Sequence, residues 1–391
     1  MSTDVDRRRR LMLTASGVDA AALGLYLASA GVYLATVVGL GASTVGVVLG
    51  LGGGAAMVAA VPIARLTERH EPARVLAWLL FARGLAFVLC AVAGTSVVAA
   101  AVVAAAGCLN RAITPIIQAV ALDGSDDAGQ VDVLAKNRAL RNAGIALGGI
   151  PVGFVLSAGS ASGFRVLFLV AGVLAAAAAL LASRLPPSSV PTTSGDRPRG
   201  RVPRGFVVLT VVAGAMTTTS ILIGLGIPLI VVSSSGVPAW TVGFVPLVNT
   251  VLVVSLQVVF SRGSERVPRA RAMLSASGAV AALGCLLLIV VPQTSGGRAV
   301  ALVVLAVLVL TMAQLLASAG GAGLMLTWIP AGRRARHLAV FHLGFAGATI
   351  VGPPVVGAAV THRPIGWVLT AAAFAVLSIL AVRLPAGTRH P

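Results

Sequence analysis

The chain has 391 residues, of which 58% are apolar and only 10% charged, against roughly a quarter charged in a soluble domain. So few charges cannot cover a water-exposed surface, and so apolar a chain is not disordered, which excludes a soluble enzyme and an unfolded chain alike. The formal charge of +18 comes almost wholly from Arg, placed in short clusters between apolar runs with only 4% aromatics, and argues for membrane topology rather than nucleic-acid binding.

Runs long enough to cross a bilayer need about 20 apolar residues. They fall at 11–38, 43–64, 74–95, 96–121, 138–159 and 164–184. A Pro/Ser/Arg-rich stretch follows, and the runs resume at 205–232, 240–261, 271–292, 298–326, 337–360 and 364–383. This pattern predicts an all-α polytopic membrane protein with twelve transmembrane helices. Its parts are a six-helix bundle over 1–184, a cytoplasmic linker over 185–204 and a second six-helix bundle over 205–391. Ala28-Ser29-Ala30 has the form of a signal-peptide cleavage site, but its apolar run is too long for one, and span 1 is read as a retained helix.

Basic residues orient the spans. With the N-terminus in the cytoplasm, 24 of the 29 Lys and Arg fall on the cytoplasmic side, and three (Arg165, Arg298 and Arg363) on the other. One missed span would invert every later loop. Both termini are therefore expected in the cytoplasm, and the Arg-, Ala- and Gly-rich composition suggests a bacterial inner membrane. The halves also repeat. At an offset of 197 residues, Thr44-Val45-Gly46 returns as Thr241-Val242-Gly243, and Gly17 falls on Gly214. ARLTERHEPAR, from Ala64, returns as SRGSERVPRAR, from Ser261. Six spans per half make the two copies parallel, related by an axis along the membrane normal.

The loop after span 2 carries Glu68, Arg69 and Arg74, and its copy after span 8 carries Glu265, Arg266 and Arg271. Both resemble the signature loop of the major facilitator superfamily, G-x-x-x-D-[R/K]-x-G-[R/K]-[R/K]. Ala64 and Ser261 stand where that pattern begins with Gly, so both copies are degenerate. The resemblance covers nearly the whole chain. It implies an alternating-access carrier whose loop acids and bases latch the two halves on the cytoplasmic side. Span 5 carries Gly144, Gly148, Pro151 and Gly153, similar to that family's antiporter motif G-x-x-x-G-P-x-x-G-G with the Pro displaced. Span 11 has a related run with Gly352 and Pro353. The alternative reading of both runs is helix packing: small residues let helices approach closely, and Pro bends them.

Of 11 acids only Asp19 falls inside a span, together with Arg83 and Arg111. Each charge at mid-helix costs about 2.5–3.5 kcal/mol on insertion scales, so the three should be paired or functional. At about 1.5 Å per residue, all three lie some ~12–15 Å from the inner ends of their spans. In the resembled fold spans 1 and 4 line the cavity and span 3 is peripheral. Asp19 and Arg111 are thus the expected pair, with Asn110 beside Arg111 and Arg83 as a further partner. Arg111 also resembles the buried Arg that family exporters carry in span 4. An acid that changes partners between states loads and releases a proton, whereas a fixed pair only positions helices. Tyr26, Gln118, Thr217, Thr218, Asn249 and Gln314 are the polar groups that face a substrate cavity or bond between helices.

No nucleophile–base pair, metal-ligand spacing or nucleotide motif is present in the sequence, so no enzyme, metal or cofactor is expected. Cys90, Cys108 and Cys285 lie in apolar runs and read as small buried hydrophobes. The first functional reading is a monomeric secondary transporter in the lipid bilayer. It moves a small molecule by alternating access, as proton-coupled efflux of an apolar or cationic compound. The second is a proton-linked importer or facilitator of a sugar or metabolite. The third is a non-transporting receptor or interaction protein on the same scaffold.

Overall fold

The computed structural model describes residues 2–122, 127–186, 203–264, 266–328 and 334–384. They are helical almost throughout. The helices of the first half are α1 (Ser2–Thr36), α2 (Ala42–Arg69), α3 (Pro72–Val92), α4 (Ser96–Leu122), α5 (Asp127–Ser157) and α6 (Ala161–Ser183). In the second half α7 (Arg204–Val232) is followed by α8 (Thr241–Ser261), α9 (Val267–Val290), α10 (Gly296–Thr327), α11 (Arg334–Thr361) and α12 (Ile365–Val382). Eleven of these contain a stretch long and apolar enough to cross a membrane. The twelfth, α8, has a shorter apolar stretch, Thr241–Gln257, in a helix whose length is about 31 Å. Large apolar side chains such as Val58, Phe81, Val97 and Leu369 are more than half exposed. Apolar bands of this extent are stable against lipid rather than water.

Helix ends follow local chemistry. Pro72 opens α3 and Pro268 lies in the first turn of α9, where a missing N–H leaves no bond unmade. Ser160 caps α6, its hydroxyl oxygen accepting from the Gly163 N–H at 3.0 Å. In the second signature loop Gly263 turns the chain at φ +76°, a region that favours glycine.

Sequence periodicity reads α7 as one smooth span, and there the structure differs. The helix is α-helical over Arg204–Met216 and Thr218–Ile221, widens into a π-turn over Leu222–Gly226, and closes as Ile227–Val232. Pro228 is the cause. Lacking an N–H, it leaves the Gly224 carbonyl without its usual donor. The wide pattern takes over, with the Ile227 N–H donating to the Leu222 carbonyl.

The chain divides by packing into two units. The first takes residues 1–40, 51–194 and 242–247, and the second 41–50, 195–241 and 248–391. Within the first, α1 packs on α5 and α6, and α3 on α6 and α4. Within the second, α7 packs on α11, and α9 on α12 and α10. Moving six helices along the chain converts α1·α5, α3·α6 and α3·α4 into α7·α11, α9·α12 and α9·α10. Glycines make the closest of these contacts. A Cβ on Gly24 would run into the Ile145 carbonyl, and one on Gly148 would come within 2.5 Å of the Ala21 carbonyl oxygen. One on Gly144 would lie 2.8 Å from the Ala20 Cβ. The glycine run of α5 is therefore the seat of α1. One repeat later Gly214 meets Gly344 backbone to backbone, and Gly352 closes on Ile221. Gly46 closes on the Pro353 carbonyl, and a Cβ on Gly50 would lie 2.7 Å from the Ile350 carbonyl oxygen.

Candidate functional site

The first unit buries a charged cluster built from four helices. On α1 the buried stripe runs Met12, Ala15, Ser16, Asp19, Leu23 and Tyr26, at helical spacing. Asp19 thus points into the bundle with none of its surface exposed. On α3 the stripe Leu76, Leu80, Arg83, Phe87 carries Arg83 to the same place, also fully buried. The Arg83 Nη2 pairs with Asp19 Oδ1, and its Nη1 donates to Asn110 Oδ1 on α4 at 3.1 Å. The second Asp19 oxygen accepts from Arg141 Nη1 on α5 at 2.7 Å. Nearby, the Ser16 hydroxyl donates to Asn137 Oδ1 on α5 at 2.5 Å, a second polar tie between α1 and α5.

Aromatic groups close the cluster on one side. Tyr26 stacks on Phe87 with ring centroids 4.9 Å apart, and the Arg83 guanidinium carbon lies 5.4 Å from the Phe87 centroid. The Tyr26 hydroxyl donates to the Val103 carbonyl on α4 at 2.7 Å. Asp19 is thus held by α3 and α5 together. A carboxylate accepting from two guanidiniums has its strongest sites filled, and the low dielectric makes each bond count.

The expected Asp19–Arg111 pair is not formed. Asp19 goes to Arg83 and Arg141, because Asn110 and not Arg111 is the residue of α4 that faces the cluster. Arg111 lies about a quarter-turn further round, on an exposed face. On sequence, Arg141 counts among the 24 cytoplasmic basic residues although it falls near the inner edge of the run 138–159. Helix α5 in fact begins at Asp127, so Arg141 lies well inside it.

The second unit holds a neutral group instead. The Asn249 amide donates to Thr311 Oγ1 at 2.9 Å and to Gln314 Oε1 at 3.1 Å, tying α8 to α10. Thr217 turns back to bond the Gly214 carbonyl at 2.6 Å, and Thr218 is half-buried on α7 near Gly352. In the signature loops Arg69, Arg74 and Arg266 are exposed, and Arg271 is half-buried. The side chains of Glu68 and Gln118, and the whole of Glu265, lie outside the described residues. Pro151 is exposed inside α5, and Pro353 lies inside α11.

Helices of membrane length, with a charge cluster buried among four of them, make this a polytopic membrane protein. The profile of the Major Facilitator Superfamily matches residues 11–320, and the chain belongs to that superfamily. Among solved structures it is similar to a POT family transporter in complex with thioalcohol conjugated peptide, with TM-score 0.78 and 11% identity over 96% of each chain. It is also similar to a peptide transporter POT in complex with sulfate, with TM-score 0.75 and 14% identity, covering 96% of this chain and 94% of that one. The nucleoside transporter NupG gives TM-score 0.73 and 14% identity, covering 96% of this chain and 98% of that one. At these identities the likeness is one of fold. A comparison with curated proteins gives no match.

Proposed function

We propose that the chain is a proton-linked secondary carrier of a bacterial cytoplasmic membrane, a monomer with both termini in the cytoplasm that exports a small molecule by alternating access. The observation that supports this reading is Asp19, a fully buried carboxylate shared by guanidiniums from two other helices. A shift of α1 against α3 or α5 frees one carboxylate oxygen, and an acid that loses a cationic partner is open to a proton. The halves over 1–184 and 205–391, joined by 185–204, are the moving bodies in this proposal. The Glu68–Arg69 and Glu265–Arg266 loops have the gating role that the resemblance to the family's signature loop implies. The outward direction rests on the resemblance of span 5 to an antiporter motif, and import is the competing outcome.

The test uses proteoliposomes that enclose a pH-sensitive dye and a panel of added compounds. Active compounds move protons through the wild-type chain, and Asp19→Asn abolishes that movement while leaving exchange of the same compounds. Proton movement unchanged in Asp19→Asn overturns the coupling. Cells lacking the chain gain sensitivity to a compound if it exports, and lose uptake if it imports.

A further inference from the structure

The charge balance of the first unit indicates what it carries, given the carrier reading above. Its membrane-spanning helices hold three guanidiniums near the cluster, on Arg83, Arg111 and Arg141, against the single carboxylate of Asp19. Both Asp19 oxygens are already engaged, one by Arg83 and one by Arg141. Arg111 makes no hydrogen bond or ion pair among the described residues. It nevertheless follows directly in α4 on Asn110, which accepts from Arg83 in the cluster. Arg83 and Arg141 share the one acid, and Arg111 has none beside it among the described residues.

The hydrogen-bond inventory is lopsided in the same sense. The buried polar atoms here without a partner among the described residues are Arg83 Nε and Asn110 Nδ2, and both are donors. Asn110 is 8% exposed and adjoins Arg111 in the chain. The surplus is thus positive charge and N–H groups. A cationic compound would add to it, and a neutral one would leave it.

The face that bears Arg111 also bears Thr114 one turn on, which is exposed and back-bonded to the Asn110 carbonyl at 3.2 Å. Arg111 lies about 16 Å from the nearer end of α4 and about 22 Å from the other. A dissolved anion and a headgroup phosphate share the chemistry that matches it, and the test below separates them because the headgroup is the same in every arm while the added anion changes.

We propose that Arg111 anchors an anion subsite and that the carried molecule bears a carboxylate, sulfonate or phosphate group. Arg111 binds that group by charge-assisted N–H donors, while Arg83 stays on Asp19 and holds the aromatic wall in place. The apolar or cationic compound expected from sequence is the competing outcome of the test.

The experiment places wild-type, Arg111→Gln and Arg111→Lys chains in phosphatidylcholine nanodiscs. Unfolding temperature is read against benzoate, benzylammonium and benzyl alcohol. A panel of aliphatic carboxylates, sulfonates and phosphate monoesters follows, all against sodium chloride of equal ionic strength. At least one organic anion stabilises the wild type. Its affinity falls roughly ten-fold or more in Arg111→Gln and returns in part in Arg111→Lys, as loss of a charge-assisted bond requires. The proposal is overturned if no anion stabilises, if only the ammonium or the alcohol does, if chloride alone reproduces the shift, or if Arg111→Gln responds like wild type. Such a failure leaves Asp19-dependent proton movement standing. Anion binding without that proton movement removes only the coupling.

Discussion

Asp19 holds two guanidiniums in place, and this makes it the most sensitive side chain in the first unit. Replacing it with Ala strands Arg83 and Arg141 without a counter-charge. Breaking a buried pair from one side costs about 3–5 kcal/mol. Asp19→Ala is expected to lose stability on that scale in thermal melts of the purified protein. Arg141→Gln should lose less, because Arg141 is 13% exposed and Arg83 still satisfies the acid. Equal losses would contradict this ranking. The burial of Asp19 and Arg83 is legible in the sequence, since charges inside apolar runs have nowhere else to go. Arg141 is hidden because it follows Lys136 and Arg138, and a basic cluster at a span edge reads as a loop. Helical spacing nevertheless carries the signal. Asn137, Arg141, Gly144 and Gly148 share one face, the face that the glycines press against α1. Arg111 is misassigned for a related reason. Depth alone matches it to Asp19, but its angle round α4 turns it away.

At the scale of the element, glycines decide which helices touch. Gly148→Leu pushes a side chain into the α1 backbone at Ala21, so the α1–α5 contact must open. A loss of about 1–3 kcal/mol or more is expected from such overpacking. A methyl group added at Gly54 would meet nothing within 4 Å, and Gly54→Ala is expected to be silent. Melting temperature and gel-filtration profile separate the two, and a silent Gly148→Leu would show that the seat is not needed. Close packing at Gly144 and Gly148, one of the two sequence readings of the Gly/Pro run of span 5, is present between α1 and α5. Helix α7 is less legible. Its composition fits one smooth span, and only Pro228 betrays the wide turn. A cysteine scan along α7 should show accessibility with a 3.6-residue period up to Ile221, then a slip of about one residue across Leu222–Gly226. An unbroken period would contradict the π-turn.

For the whole molecule, span count and duplication are legible because bilayer thickness fixes helix length and basic residues punctuate the loops. The division by packing is less so. The linker marks a boundary along the chain, but the first turns of α2 belong with the second unit because Gly46 and Gly50 seat them on α11. Reporter fusions at both ends are expected to show the two termini on the cytoplasmic side, and ends on opposite sides would refute the topology. The two repeats have nonetheless parted chemically. The first carries Asp19, Arg83, Arg111 and Arg141 within its spans, whereas the matching core of the second is served by Asn249, Thr311 and Gln314. The two groups therefore differ in how they respond to an electric field. A membrane potential of 100 mV does about 2.3 kcal/mol of work on each elementary charge carried across it. Any shift of the first repeat's guanidiniums and carboxylate along the field would feel that work, while the Asn249, Thr311 and Gln314 group, being neutral, would not.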